Sequence, residues 1–295
     1  MKKIKKLDIF QIVFFLVLLA YTIILLFALL WAFTTSVKQD NYFLYHQIEF
    51  PFGKDAFTLD NYAFLFDDNF VVRANNKYFG LGDMISNSLM YVVGCSLIQT
   101  SVMCFMAYLV AKFRYKFSSI IYWVVVIAMT IPVVGTDIST IQILREMGVY
   151  DTLLGNYVLK FAFPGMYFLV FHAAFESIPD SYAEAASIDG AGETRIFVQI
   201  ILPLIMNMFF TIFLITFITL WNDYSSPLLY WPSKPTLSYG VWAVTTGAGG
   251  GNANQYQKVP IRMALSLFMA LPLLLIFMIF KNRIMNKVSM GGIKE

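Results

Sequence analysis

Residues 176–222 read ESIPDSYAEAASIDGAGETRIFVQIILPLIMNMFFTIFLITFITLWN, a loop of small and acidic residues that runs straight into an uncharged apolar stretch over 196–222. A bilayer core about 30 Å thick is crossed by about 20 helical residues, each rising about 1.5 Å. The stretch 196–222 meets that length with no ionisable side chain, so it reads as a transmembrane helix. The same criterion, applied outward, finds spans over 9–37, 84–111, 117–136, 152–175 and 263–280. Lys160 lies inside the fourth of these, where its apolar stem lets the ammonium reach the headgroups from near the outer end. The expected fold is all-α and integral to the membrane. It is one transmembrane domain over 1–295 with six helices, an outer segment at 38–83 and an inner loop at 176–203.

Composition supports this. The 295 residues are 59% hydrophobic and 13% charged, whereas about a quarter of a soluble chain is charged. Cys95 and Cys104 both fall in one apolar run, away from any oxidising compartment, and read as small packing residues. The net charge of +3 comes from clusters at the ends of apolar runs, not from a face that could follow phosphates. A nucleic-acid partner is not expected, and membrane lipid is the expected surrounding.

Those clusters set the direction of insertion, because Lys and Arg are retained on the cytoplasmic side in short loops. Lys2, Lys3, Lys5 and Lys6 precede the first span, Lys112, Arg114 and Lys116 fill the second turn, and Lys281, Arg283 and Lys287 follow the last. Segments 38–83, 137–151 and 223–262 are sparser in basic residues and read as outward-facing. Both termini are expected in the cytoplasm of a multi-pass protein of the cell membrane. The first apolar run exceeds the roughly 7 to 15 residues of a signal peptide core, and no small-x-small cleavage site follows it. It is expected to stay as an anchor.

The inner loop reads as two short helices. Pro179 stops the preceding helix, and Ser181 with Glu184 has the spacing of a capping box. Gly190 suits the left-handed residue that ends a helix, and a second helix starts near Gly192 and bends at Pro203. Ala183, Ala185, Ala186 and Ser187 are all small, so another backbone can come close, with Glu184 and Asp189 available for charged contacts.

Glu184-Ala185-Ala186, Gly190, Ile200, Leu202 and Pro203 fill every position of EAA-x3-G-x9-I-x-LP. The chain therefore resembles the permeases of binding-protein-dependent ABC importers. The stretches Phe57-Thr-Leu-Asp-Asn-Tyr62, Asn87-Ser88, Ile131-Pro132, Ile178-Pro179, Ile188-Asp189-Gly190-Ala191, Trp221-Asn222-x-Tyr224, Pro227-Leu228 and Gly291-Gly292-Ile293-Lys294 are similar to its carbohydrate branch, the group of the smaller maltose permease. From the second span onward the likeness is nearly continuous. It implies a type I importer permease fold, a second related permease chain, an ATPase subunit dimer and an extracytoplasmic sugar-binding protein. It also implies that the loop between the fourth and fifth spans docks on the ATPase through Glu184, Ala185, Ala186, Asp189, Gly190, Ala191, Ile200, Leu202 and Pro203.

Local readings stand beside these. Glu184 can simply complete a capping box, and the alanines can be ordinary helix packing. The glycine tract with Gly249, Gly250, Gly251 and Asn252 is either a probe toward the binding protein or a flexible connector. Trp221, Asn222, Asp223 and Tyr224 either line a sugar path or form an interfacial belt and helix packing. His46 and His172 lack a second ligand at metal spacing, so neither metal nor other cofactor is expected. No G-x-x-x-x-G-K-[ST] loop occurs, which assigns ATP and Mg to partner subunits. A membrane-embedded enzyme would need a nucleophile–base pair or paired buried carboxylates, and an ion-coupled carrier would need ionisable groups at mid-membrane depth. The spans carry almost none.

Overall fold

The structure, a computed structural model, describes residues 9–53, 55–68, 70–113, 115–131, 135–161, 165–247 and 258–285. Helix α1 is Ile9–Ser36, apolar on every side and exposed along nearly its whole length. A helix without a polar face is stable only where lipid or protein surrounds it. The segment that follows carries α2 (Asp40–Tyr45), α3 (Asp60–Leu65) and a two-stranded antiparallel hairpin, β1 (Val72–Ala74) with β2 (Lys77–Phe79). Asn75 and Asn76 form the hairpin turn with φ of 45° and 61°, the left-handed pair that a tight hairpin requires and that asparagine tolerates.

Helix α4 (Leu81–Lys112) is the longest, followed by α5 (Lys116–Thr130), α6 (Asp137–Glu146), α7 (Leu153–Leu159) and α8 (Met166–Glu176). Then come α9 (Ser181–Ile188) and α10 (Glu193–Ile196), which passes through a π turn at Phe197–Ile201 into α11 (Leu202–Asn222). The chain continues with α12 (Ser225–Tyr230), α13 (Leu237–Thr246) and α14 (Val259–Met285).

Among the described residues, four helical stretches are long and apolar enough to cross a membrane: Ile9–Ser36, Leu81–Lys112, Glu193–Asn222 and Val259–Phe280. Two expected spans differ. Over 117–136 the helix stops at Thr130, and Ile131 turns extended with φ −87° and ψ 113°. The following residue is Pro132, whose ring disfavours helical backbone in the residue before it. Over 152–175 there is not one helix but two, α7 and α8. Pro164 stands in the sequence between them, and a proline removes a donor and crowds the preceding turn of any helix it interrupts. Lys160, expected inside that span, forms the C-terminal cap of α7.

Two apolar clusters build the core, and α4 runs through both. One gathers Leu65, Phe70, Val72, Met84, Tyr91, Trp221, Leu237 and Ala264 beside the hairpin. The other gathers Met103, Ala107, Tyr108, Phe168, Phe171, Phe175, Ile178, Ala186, Ile196 and Ile201 beside α9. At the hairpin side the fully buried Lys38 ties the segment after α1 together. Its Nζ donates to the carbonyls of His46 at 3.0 Å and Gln47 at 2.9 Å. Burial lowers its pKa from the usual lysine value, partly opposed by Glu49. Asn61 Nδ2 donates to the carbonyls of Ser36 and Lys38, holding α3 on the same turn.

Candidate functional site

The loop between α8 and α11 is built by two glycines and a proline. The amide of Gly190 donates to the Ser187 carbonyl at 3.0 Å, and that of Ala191 to the Ala186 carbonyl at 2.9 Å. This pair of bonds is a Schellman ending, and it needs a left-handed residue. Gly190 supplies it with φ +79°. Gly192 is then extended and starts α10. Within a regular helix, Pro203 would press its ring on the Gln199 carbonyl and leave it without a donor. The wider π turn at Phe197–Ile201 ends two residues before it and lets the chain continue helically into α11.

The α9 side chains divide into two faces. Ala186 is buried and Ala183 half-buried, both packed on the cluster of Phe175, Ile178 and Ile196, with Ala191, Ile200 and Leu202 beside them. Glu184, Ala185, Ser187, Ile188 and Asp189 are exposed, and Ile188 keeps 87% of its surface accessible. The four small residues expected to let another protein's backbone come close are therefore divided between two faces. Ala183 and Ala186 let α9 lie close on its own bundle, while Ala185 and Ser187 face outward between two carboxylates.

The expected capping box does not form. Asp180, not Ser181, is the N-cap residue of α9, and its side chain makes no bond to the helix amides. Its carbonyl accepts the amides of Ala183 at 2.9 Å and Glu184 at 3.0 Å. Its carboxylate instead meets Lys112, the last residue of α4, at 2.7 Å, and the same Nζ donates to the Ile178 carbonyl at 2.6 Å. With Asp180 committed to another helix and Ser181 already inside α9, the S-x-x-E spacing has no free first-turn position to act on. The Lys112 bond joins residues 68 apart, so no local spacing announces it; the only sequence hint was a lysine ending an apolar run. Beside it a cleft of about 610 Å³ opens, lined by Lys112, Ser118, Tyr122, His172, Glu176 and Asp180 among others.

The remaining candidates are placed as follows. Trp221 is buried, stacks on Phe217 with centroids 5.9 Å apart, and donates from Nε1 to the Met269 carbonyl at 3.0 Å. Asp223 accepts the Ser226 amide at 3.0 Å and the Tyr91 hydroxyl at 3.4 Å. These two residues serve helix packing and the turn into α12. Asn222 donates to the Ile218 carbonyl of its own helix, and Tyr224 stacks on Trp242 at 5.6 Å. His172 is buried against the Tyr122 ring at 4.9 Å, with Nδ1 3.6 Å from Glu176. Gly249, Gly250, Gly251 and Asn252 lie outside the described residues; α13 ends at its C-cap Gly247, at φ +76°.

The family of binding-protein-dependent transport system inner membrane components matches residues 103–289, a stretch that includes the whole α9–α11 unit. The chain belongs to this family. A diacetylchitobiose uptake system permease protein of Streptomyces coelicolor is 28% identical over 280 residues, covering 93% of this chain and 86% of that protein. An sn-glycerol-3-phosphate transport system permease protein of Yersinia enterocolitica is 31% identical over 198 residues, covering 66% of this chain and 69% of that one. A solved structure, that of a bacterial ABC transporter involved in the import of the acidic polysaccharide alginate, contains a chain that superposes with a TM-score of 0.74 at 19% identity. The match covers 93% of this chain and 96% of that chain, and it is a likeness of fold. As a member of the permease family, the chain is a membrane component of a transport system, in keeping with its long apolar helices.

Proposed function

We propose that this chain is one of two related permease subunits of an ATP-driven importer for a sugar or oligosaccharide, with an extracytoplasmic binding protein delivering the solute. A dimer of separate ATPase subunits, which bind ATP and Mg, supplies the energy. The observation that carries the reading is the α9 unit: a short helix clamped on its own bundle by Ala183 and Ala186, presenting Glu184, Ala185, Ser187, Ile188 and Asp189 outward. In this reading α9 is the coupling helix of a type I importer. Glu184, Ala185 and Asp189 touch the ATPase, whereas Ala186, Gly190, Ala191, Ile200, Leu202 and Pro203 give the loop its shape. The named substrates of the relatives support a sugar-like solute.

Six crossings follow from α1, α4, α5, α7 with α8, α10 with α11, and α14. The break between α7 and α8 and the short α5 are acceptable at membrane depth where neighbouring protein or a water-filled path covers the backbone. The basic clusters put both termini, and with them α9, in the cytoplasm. The 38–83 segment and the glycine tract at 249–252 then face outward, where the tract is within reach of the binding protein. Purification of the chain with its endogenous partners tests the assignment. An ATPase dimer, a second permease and a binding protein should co-elute, and a stable, active carrier with no ATPase attached would overturn it. Ligand screening of the co-eluting binding protein then names the solute.

A further inference from the structure

Helix α4 touches the chain's polar features at both of its ends. At one end Asn87 Nδ2 donates to the Pro235 carbonyl at 3.1 Å, and Ser88 Oγ accepts the Leu237 amide at 2.7 Å. At the other, Lys112 Nζ holds the Ile178 carbonyl and the Asp180 carboxylate. With 32 residues, α4 is about 48 Å long. It is one unbroken helix, packed along α8 and α11.

The charges at the Lys112 end obey a simple rule. A cation is favoured at a helix C-terminus and an anion at an N-terminus. Lys112 lies in the last turn of α4 and Asp180 occupies the N-cap position of α9. Each charge thus suits its own helix, and the pair closes the gap between the two. Because the Asp180 side chain makes no capping bond to the α9 amides, its carboxylate reaches out to Lys112 and links the start of this helix to α4. Lys112 is only 12% exposed, so its partners cannot easily be exchanged for water.

We propose that Lys112 is a positioning residue for energy coupling. It fastens the start of α9 to α4, so that a displacement of α9 is carried along α4 to the turn at 235–237. This rests on the reading of α9 as the ATPase-docking helix, and the experiment separates the two. The complete importer, with its second permease, ATPase subunits and binding protein, is reconstituted in proteoliposomes, and solute uptake is measured per ATP hydrolysed. Lys112→Met should lower that ratio roughly tenfold, the scale of a modest coupling free energy, with ATPase subunits still bound in wild-type proportion. Lys112→Arg, which keeps the charge and can reach both acceptors, should restore most of it. A Lys112→Met complex that retains its ATPase and the wild-type ratio overturns the strut. Failure of the ATPase to bind the wild-type chain would instead overturn the docking reading. Should Lys112→Met not assemble, Asp180→Asn carries the test, since this carboxylate is 52% exposed and the amide is isosteric. A ratio lowered severalfold supports the strut, and an unchanged ratio overturns it.

Discussion

The two ends of α4 solve the same problem in different ways. Beside the hairpin, Asn87 and Ser88 are buried and hold backbone groups of 235–237 with neutral hydrogen bonds in an apolar surround. A buried group left without its partner is costly, so these bonds seal one arrangement. Beside α9, Lys112 is shared between a carbonyl and a half-exposed carboxylate, at the edge of an open cleft. The carboxylate side of this contact is open to solvent, so it feels salt in a way the sealed end does not. One end is sealed on every side, and the other is open on its acidic side.

The largest effect should come from filling the sealed end. A side chain on Gly240 would run into the Met84 sulfur, deep in the cluster beside the hairpin. Gly240→Leu should therefore cost about 1–3 kcal/mol or more through overpacking, read as a lower unfolding temperature of the detergent-solubilised protein. Next is Ser88→Ala, which strands the Leu237 amide; a loss of about 1–3 kcal/mol is expected in the same assay. If this change were silent, the contrast between the two ends would fail.

At the other end the expected costs shrink while the functional consequences do not. Gly190→Val meets no neighbouring atom, but its φ of +79° burdens a side chain by roughly 1–2 kcal/mol. The bundle should stay folded while α9 loses its outward orientation, seen as weakened ATPase retention on purification. Asp180→Asn should lower stability by about 0–1 kcal/mol, because its pair with Lys112 is half in solvent. Raising the salt should remove that difference between the variant and the wild type. Smallest is Glu184→Ala: exposed on α9, it should leave the unfolding temperature unchanged and alter only ATPase affinity, measured by co-purification at graded salt.

How far the sequence could be read depended on the range of the interaction. The helices α1, α4, α11 and α14 were legible within a few residues, because a run of uncharged residues of bilayer length is a local property. The turn at Gly190 was legible for the same reason, since a left-handed residue is a local demand. The stretches 117–136 and 152–175 were not, although Pro132 and Pro164 stood in plain view. The length of an uncharged run does not register a single missing amide. The capping box at Ser181 failed because α9 begins one residue earlier than that spacing requires: Asp180 holds the N-cap position and Ser181 is already helical, while the Asp180 carboxylate turns to Lys112 on a distant helix.

From the order of residues alone came the membrane, the four long helices and the motif that begins at Glu184, since these rest on composition and short spacing. Only the tertiary structure decided which face of α9 is spent on the protein's own core, with Ala183 and Ala186 inward and Ala185 and Asp189 outward. It alone joined Lys112 to Asp180, and Asn87 and Ser88 to residues 235–237. The physical reason is common to these pairs. Their partners lie 68, 148 and 149 positions apart, and contacts of that span exist only once packed helices have brought their ends together.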